Sequence, residues 1–134
     1  MPSRGRRRVQ GRDAVVTDDA ARQREVVRAF LAASREGDFA GLIALLDPSV
    51  VLRADPAVVA FGAAAETFGR REVAETFSGR ARAAVPALID GRAGAVWSSG
   101  GSPRVVFDFT VVDGLVVAID LLADPETLAV MDLS

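Results

Sequence analysis

The chain contains no cysteine, histidine or tyrosine, and its 16 basic residues are all arginine. Without cysteine there is no disulfide framework and no thiolate metal site, and nothing in the composition requires an oxidising compartment. Without histidine or lysine, His-ligated metals, imidazole general bases and Schiff-base chemistry are excluded as well. Asp, Glu, Ser and Thr remain as reactive groups, with arginine and a single tryptophan as donors. Long apolar runs are also lacking. The stretch GLVVAIDLLAD is broken by Asp120, well short of the roughly 20 residues a membrane-spanning helix needs. The basic N-terminus runs into RDAVVTDDAARQRE rather than an apolar stretch, unlike a secretory signal. The expectation is a cytoplasmic protein with no membrane segment and no cofactor.

What is present is a chain of 134 residues, half of them hydrophobic, which is enough for one domain around one core and too apolar for global disorder. Charge is unevenly placed. SRGRRRVQG and its surroundings put Arg4, Arg6, Arg7, Arg8 and Arg12 ahead of the first acid, Asp13, whereas the remaining 122 residues hold 11 arginines and 18 acids. A basic arm of this kind gives salt-sensitive attraction to phosphates. No aromatic residue is interleaved to stack on bases, so specific nucleic-acid binding is not expected.

Periodicity predicts a mixed α+β domain. Thr17, Asp18 and Asp19 offer N-caps for a helix to about Glu36, with Val26, Val27, Phe30, Leu31 and Ser34 on one face. Gly37 closes it, Asp38 caps a second short helix, FAGLIALL, and Asp47-Pro48 ends that one. SVVLRA reads as a strand with Val50, Leu52 and Ala54 on one face, and AVVAFGAAAE is expected to pair with it across Asp55-Pro56. A third helix spans RREVAETFSGRARAAV, stopped by Pro86. Then come four antiparallel strands: PALID, AGAVWSS, RVVFDFTVV and LVVAIDLLAD. Turns are expected at Asp90-Gly91 and Asp113-Gly114, with a looser connection from Gly100 to Pro103.

Three stretches carry a resemblance. REVVRAFLAASREGDFAGLIALLDPSVVLRAD (24–55), LIDGRAGAVW (88–97) and FTVVDGLVVAIDLLADPETL (109–128) resemble the SnoaL-like C-terminal domain of sigma-J-type extracytoplasmic-function RNA polymerase sigma factors, within the nuclear-transport-factor-2-like superfamily. The similarity spans about residues 20–134. It implies a cystatin-like cone in which three helices pack on a curved, mostly antiparallel sheet, with a pocket at the open end. It also implies residues 1–17 as a basic tail resembling a sigma-factor linker, flexible or docked opportunistically, and residues 18–134 as the SnoaL-like domain, detached from promoter-reading regions. Two departures stand out. Pro56-Ala57-Val58-Val59 replaces the family's run of glycines and a lysine, and Asp124-Pro125-Glu126-Thr127-Leu128 replaces its Asn-Pro-Asp-Lys-Leu. In the family both segments are associated with contacts to the sigma regions.

The resemblance and the residue inventory leave two functional readings. The preferred one is a non-catalytic, pocket-bearing domain that forms a homodimer through the sheet and binds a small apolar ligand or a transcription-related protein partner. The second is an isomerase, cyclase or hydratase with Asp55 as general base in an apolar cone, where desolvation tunes its pKa. The plainer account of Arg53 and Asp55 is a surface strand ending in an Asp-Pro turn. Arg53, Asp55, Phe61, Trp97, Phe107 and Phe109 are the pocket-lining candidates. The aromatics, with Phe68, are expected mainly in the core, some of them bordering the pocket. Asp108 and Asp120, mid-strand acids, are expected to face outward and pair across strands, Asp108 with Arg92 or Arg104. No metal site is expected, because no acid-rich loop has the spacing of a hard-cation site.

Overall fold

The computed structural model describes residues 9–80 and 83–134, with side chains from Ala20 onward. The order of elements is α1 (Val9–Glu36), α2 (Phe39–Leu45), β1 (Leu46–Ala54), α3 (Pro56–Val59), β2 (Glu66–Phe68), α4 (Arg70–Phe77), β3 (Val85–Ile89), β4 (Arg92–Ser99), β5 (Ser102–Val112), β6 (Leu115–Leu122) and α5 (Pro125–Ala129). One six-stranded sheet has the order β2-β1-β6-β5-β4-β3, in which β1 runs parallel to β6 and the other pairings are antiparallel. The result is a mixed α+β fold with α1, α2 and α4 packed on one face of the sheet.

Helix α1 buries the face its periodicity marks out: Val26, Val27, Phe30, Leu31 and Ser34 are all buried. Its start differs from expectation. Rather than beginning at a cap among Thr17, Asp18 and Asp19, the helix extends back to Val9; a residue suited to an N-cap is also tolerated inside a helix that has already begun. The cluster Arg4 to Arg8 lies outside the described residues. The far end of α1 is as expected. Gly37 sits at φ +70, its N–H bonds the Ser34 carbonyl and that of Asp38 the Ala33 carbonyl, which is a Schellman closure. Asp38 then caps α2 by accepting from Gly41 N–H at 3.0 Å.

Helix α4 is shorter than the pattern over 70–85 suggests. Val73, Ala74 and Phe77 are buried, but the helix stops at Phe77, and Gly79 turns the chain with φ +75. Ser34 replaces the missing turns as the tie at this point. Its Oγ contacts the carbonyls of Phe77 at 2.6 Å and Arg80 at 2.8 Å, fully buried, and its own carbonyl accepts from Gly79 N–H. Ser34→Ala removes the one hydroxyl proton that these two carbonyls compete for, the Phe77 carbonyl keeping the Arg80 N–H, and is expected to cost about 1–3 kcal/mol by urea unfolding. A loss within error would show that the carbonyls find other donors.

The meander β3 to β6 is as predicted, and its three turns are equally tight. Asp90-Gly91, Gly100-Gly101 and Asp113-Gly114 all have both residues at positive φ, the geometry of two-residue type I′ hairpins. The connection expected to be loose is closed by Gly100-Gly101, where two glycines take left-handed conformations at no steric cost. On β5, Phe107 and Phe109 are buried beneath α1 and α4, and Asp108 faces the other way. The main core joins these to Phe30, Phe77, Leu52 and Ile119, with Val105 and Leu121 at its margin. A second cluster, Ile89, Val96 and Val106, lies on the outer face under Leu128, Met131 and Leu133, so the C-terminal segment covers part of that face.

Candidate functional site

Among the described residues, the largest concavity lies where the face of the sheet that carries α1 and α4 runs past the core. It encloses about 880 Å³, within the usual range for small-molecule sites. Ala57, Val58, Ala60 and Phe61 of α3 and its exit form one wall, Trp97, Ser99, Arg104 and Val105 of the β4-β5 hairpin form the other, and Leu121, Ala123 and Pro125 complete the lining. Val105 and Leu121 pack on the main core, so the cleft is a continuation of the core surface that no side chain fills.

Its shape depends on two one-turn helices built by the same device. In each, an aspartate caps and a proline occupies the first helical position, where its missing N–H costs nothing. Asp55 with Pro56 opens α3, and Asp124 with Pro125 opens α5. This corrects the expectation that AVVAFGAAAE pairs with β1. Asp55-Pro56 starts a helix, and the strand beside β1 is the later, three-residue β2. The two devices are joined. Asp55 Oδ1 accepts from Val58 N–H at 3.0 Å, while Oδ2 accepts from Ala123 N–H at 2.8 Å and Asp124 N–H at 2.9 Å. The two segments that depart from the family pattern thus meet in space and shape one end of the cleft.

Burial pushes the Asp55 carboxyl up, but the backbone N–H groups of Val58, Asp124 and Ala123 outweigh it, and the group is held below the usual aspartate range. Both oxygens are engaged and the residue does not belong to the cleft lining. A carboxylate so placed holds backbone; it is a poor proton acceptor. Arg53 is also away from the cleft. Its Nε and Nη2 donate to Asp120 Oδ1 at 2.7 Å and Oδ2 at 3.0 Å on the outer face of the sheet, and that contact raises its pKa. Phe107 and Phe109, proposed as pocket-lining, belong to the core. Phe109 meets Phe30 edge-on with ring centroids 5.2 Å apart, and Phe107 lies 6.4 Å from Phe77.

Of the six candidates, the structure brings Phe61 and Trp97 into the cleft. Both are exposed, Phe61 by 82% and Trp97 by 39%, and Phe68 on the edge strand by 63%, so these three are not core residues. Periodicity missed Arg104 as a lining residue. The signal that could have found it is its place beside Pro103 and the Gly100-Gly101 turn, where strand pairing is most readily broken.

The outer face carries a row of charges. Asp108 and Asp120 are cross-strand partners, and Arg53 lies opposite Asp120 on β1. Arg92 Nη2 donates to Asp108 Oδ2 at 2.8 Å, as expected for one of its two possible partners. Burial raises the Asp108 pKa; Arg92 opposes this, and the charges of Asp120 and Asp90 reinforce it, leaving the group above its usual value. Among the described residues, the buried Asp108 Oδ1 has no hydrogen-bond partner.

Comparison with solved structures places this architecture. The structure of Mycobacterium tuberculosis extracytoplasmic function sigma factor SigJ is similar with a TM-score of 0.62 and 26% identity, over 80% of this chain and 44% of the other. An NTF-2 like protein of unknown function from Burkholderia xenovorans LB400 matches with a TM-score of 0.53 and 21% identity, over 78% of this chain and 85% of that one. The fold is that of the nuclear-transport-factor-2-like proteins. A putative ketosteroid isomerase from Kribbella flavida shares this NTF2-like fold at 15% identity, with a TM-score of 0.56 over 79% of this chain and 80% of that one. The similarity to SigJ agrees with the resemblance of the sequence to sigma-J-type factors, and this chain spans less than half the length of that sigma factor. No protein-family model matches the sequence, and neither does any curated protein. No helix among the described residues is long and apolar enough to cross a membrane.

Proposed function

We propose that this NTF2-like domain is a binding domain, and that the cleft between α3 and the β4-β5 hairpin holds a small, largely apolar ligand. The observation that carries this reading is the lining itself: about 880 Å³ bounded by alanine, valine, leucine, proline, phenylalanine and tryptophan side chains, with one serine and one charged residue. Aromatic side chains standing exposed on both walls of a concave apolar surface are poorly placed in water and well placed against a ligand. The same geometry weighs against Asp55 as a general base, because its oxygens are occupied by backbone donors. Similarity to a sigma factor over 80% of the chain supports a role in which the ligand-bound domain acts on a transcription-related protein.

Trp97 provides the test. It is the single tryptophan of a chain with no tyrosine, so emission excited in the near ultraviolet comes from the cleft. Titration with the neutral apolar probe N-phenyl-1-naphthylamine is expected to brighten the probe and quench Trp97 by energy transfer. Phe61→Ala, at a side chain too exposed to support the fold, is expected to weaken binding about fivefold. Probe binding without loss of Trp97 emission would place the site elsewhere and refute the reading.

A further inference from the structure

The geometry points to a small apolar anion, a carboxylic acid with an aromatic or aliphatic body, as the ligand class of the cleft, with Arg104 as the residue that holds its charge. The inference rests on the reading of the cleft as a ligand site and adds what that reading leaves open, the polar end of the ligand.

It comes from the strand register. Trp97 pairs with Val105, yet the next residue, Ser98, pairs with Pro103, so Arg104 is the extra residue of a β-bulge on β5. In a regular strand Arg104 and Val105 point to opposite faces of the sheet, and Arg104 would join the outer row with Asp108. The bulge removes that alternation and re-aims the side chain, and the consequence is visible in the lining, where the two consecutive residues both border the cleft. A bulge at a cleft wall thus brings one guanidinium to an otherwise uncharged surface. Arg53 and Arg92 are ion-paired on the outer face, whereas Arg104 has no ion pair among the described residues. Of the acids that flank the lining, Glu126 makes no ion pair with Arg104, and two have other partners. Asp55 accepts from three backbone N–H groups, and Asp124 Oδ2 accepts from Thr127 N–H and Oγ1. A free guanidinium, with its planar fork of donors, at the rim of an apolar surface containing an indole matches a flat or chain-like body that ends in a carboxylate.

Calorimetric titration with 1-naphthylacetate and with 1-naphthylacetamide tests this, since the two differ little in shape and by one charge. The acid is expected to bind about tenfold more tightly than the amide, an advantage that shrinks with added salt. Arg104→Gln is expected to bring the acid down to the affinity of the amide and leave the amide unchanged. Arg104→Lys keeps part of the difference, and Arg92→Gln, on the outer face, changes neither. Equal binding of acid and amide, unaltered by Arg104→Gln, overturns the anion assignment while leaving the cleft as a ligand site. Saturable binding of neither compound, nor of the neutral probe above, overturns both.

Discussion

Replacing Phe30 with alanine is expected to remove about 3–5 kcal/mol of stability, the largest single effect of any substitution considered. Phe30 is fully buried and stands at the junction of three elements. Its ring meets Phe77 of α4 at 5.1 Å with planes at 75°, and Phe109 of β5 at 5.2 Å with planes at 71°. Both are edge-to-face contacts, which add about 0.5–1.5 kcal/mol per pair beyond area burial. Alanine leaves a cavity that the rest of the main core closes only in part. A domain of this size has about 5–15 kcal/mol in total, so the variant is expected to lie near the limit of folding. Urea unfolding followed by Trp97 emission measures this. Phe30→Leu retains most of the volume and loses the edge contacts, so its loss is expected to be less than half as large. If leucine costs nothing, the aromatic geometry contributes nothing; if it costs as much as alanine, the edge contacts and not the volume carry the effect.

The second large effect is at Asp55. Asp55→Asn puts an amide N–H₂ where backbone donors already point, toward either Val58 or the pair Ala123 and Asp124. Loss of charge-assisted bonds and a donor facing a donor are expected to cost about 3 kcal/mol at neutral pH. The pH dependence has a definite sign. The folded-state pKa of Asp55 is depressed, so its contribution is complete above the unfolded value, about pH 4, and is lost as pH falls through the lower folded value. The wild-type advantage over the Asn variant is therefore expected to be constant from neutral pH down to about pH 5 and to narrow below about pH 4. Asp108 gives both proteins a pH dependence of opposite sign, which cancels from the difference between them. Its raised pKa gives a contribution present below the unfolded value that is lost as pH rises through the folded one. A gap between wild type and Asp55→Asn that is unchanged at pH 3 would mean the carboxylate charge plays no part in joining α3 to α5.

The stabilising role of Asp55 bears on function, because α3 and α5 frame one end of the cleft. The variant is expected to lose probe affinity together with stability, and the loss should be smaller in conditions that stabilise the fold. A general base behaves otherwise: its removal abolishes turnover and leaves the melting transition in place.

Much of the fold was legible from local patterns. The buried face of α1, the stop at Gly37, the alternation of Phe107 and Phe109 with Asp108, and the Asp-Gly hairpins each follow from 3.6-residue or 2-residue periodicity and from residues that tolerate positive φ. Such signals lie within about ten residues and need no knowledge of the rest of the chain. The same locality explains the misreadings. Ala, Val and Phe around Asp55-Pro56 fit a strand as well as a helix, and the helical turn formed because Asp55 finds the N–H groups of Ala123 and Asp124, almost 70 residues away. Helix α4 ended early because the buried Ser34 Oγ donates to its last carbonyl, that of Phe77, while the Ser34 carbonyl draws the Gly79 N–H away from the helix.

The sequence by itself determined the mixed α+β class, the inward face of each long element, the absence of thiol and imidazole chemistry, and the likeness to sigma-J-type domains. Only the tertiary structure decided which aromatics stayed outside the core, that the Asp-Pro segments 69 residues apart meet through one carboxylate, and that Arg104 borders the cleft. The physical reason is that a cleft is made of surfaces left uncovered after packing. Which surfaces remain uncovered depends on strand register and on a single bulge, and neither is encoded in any one stretch of chain.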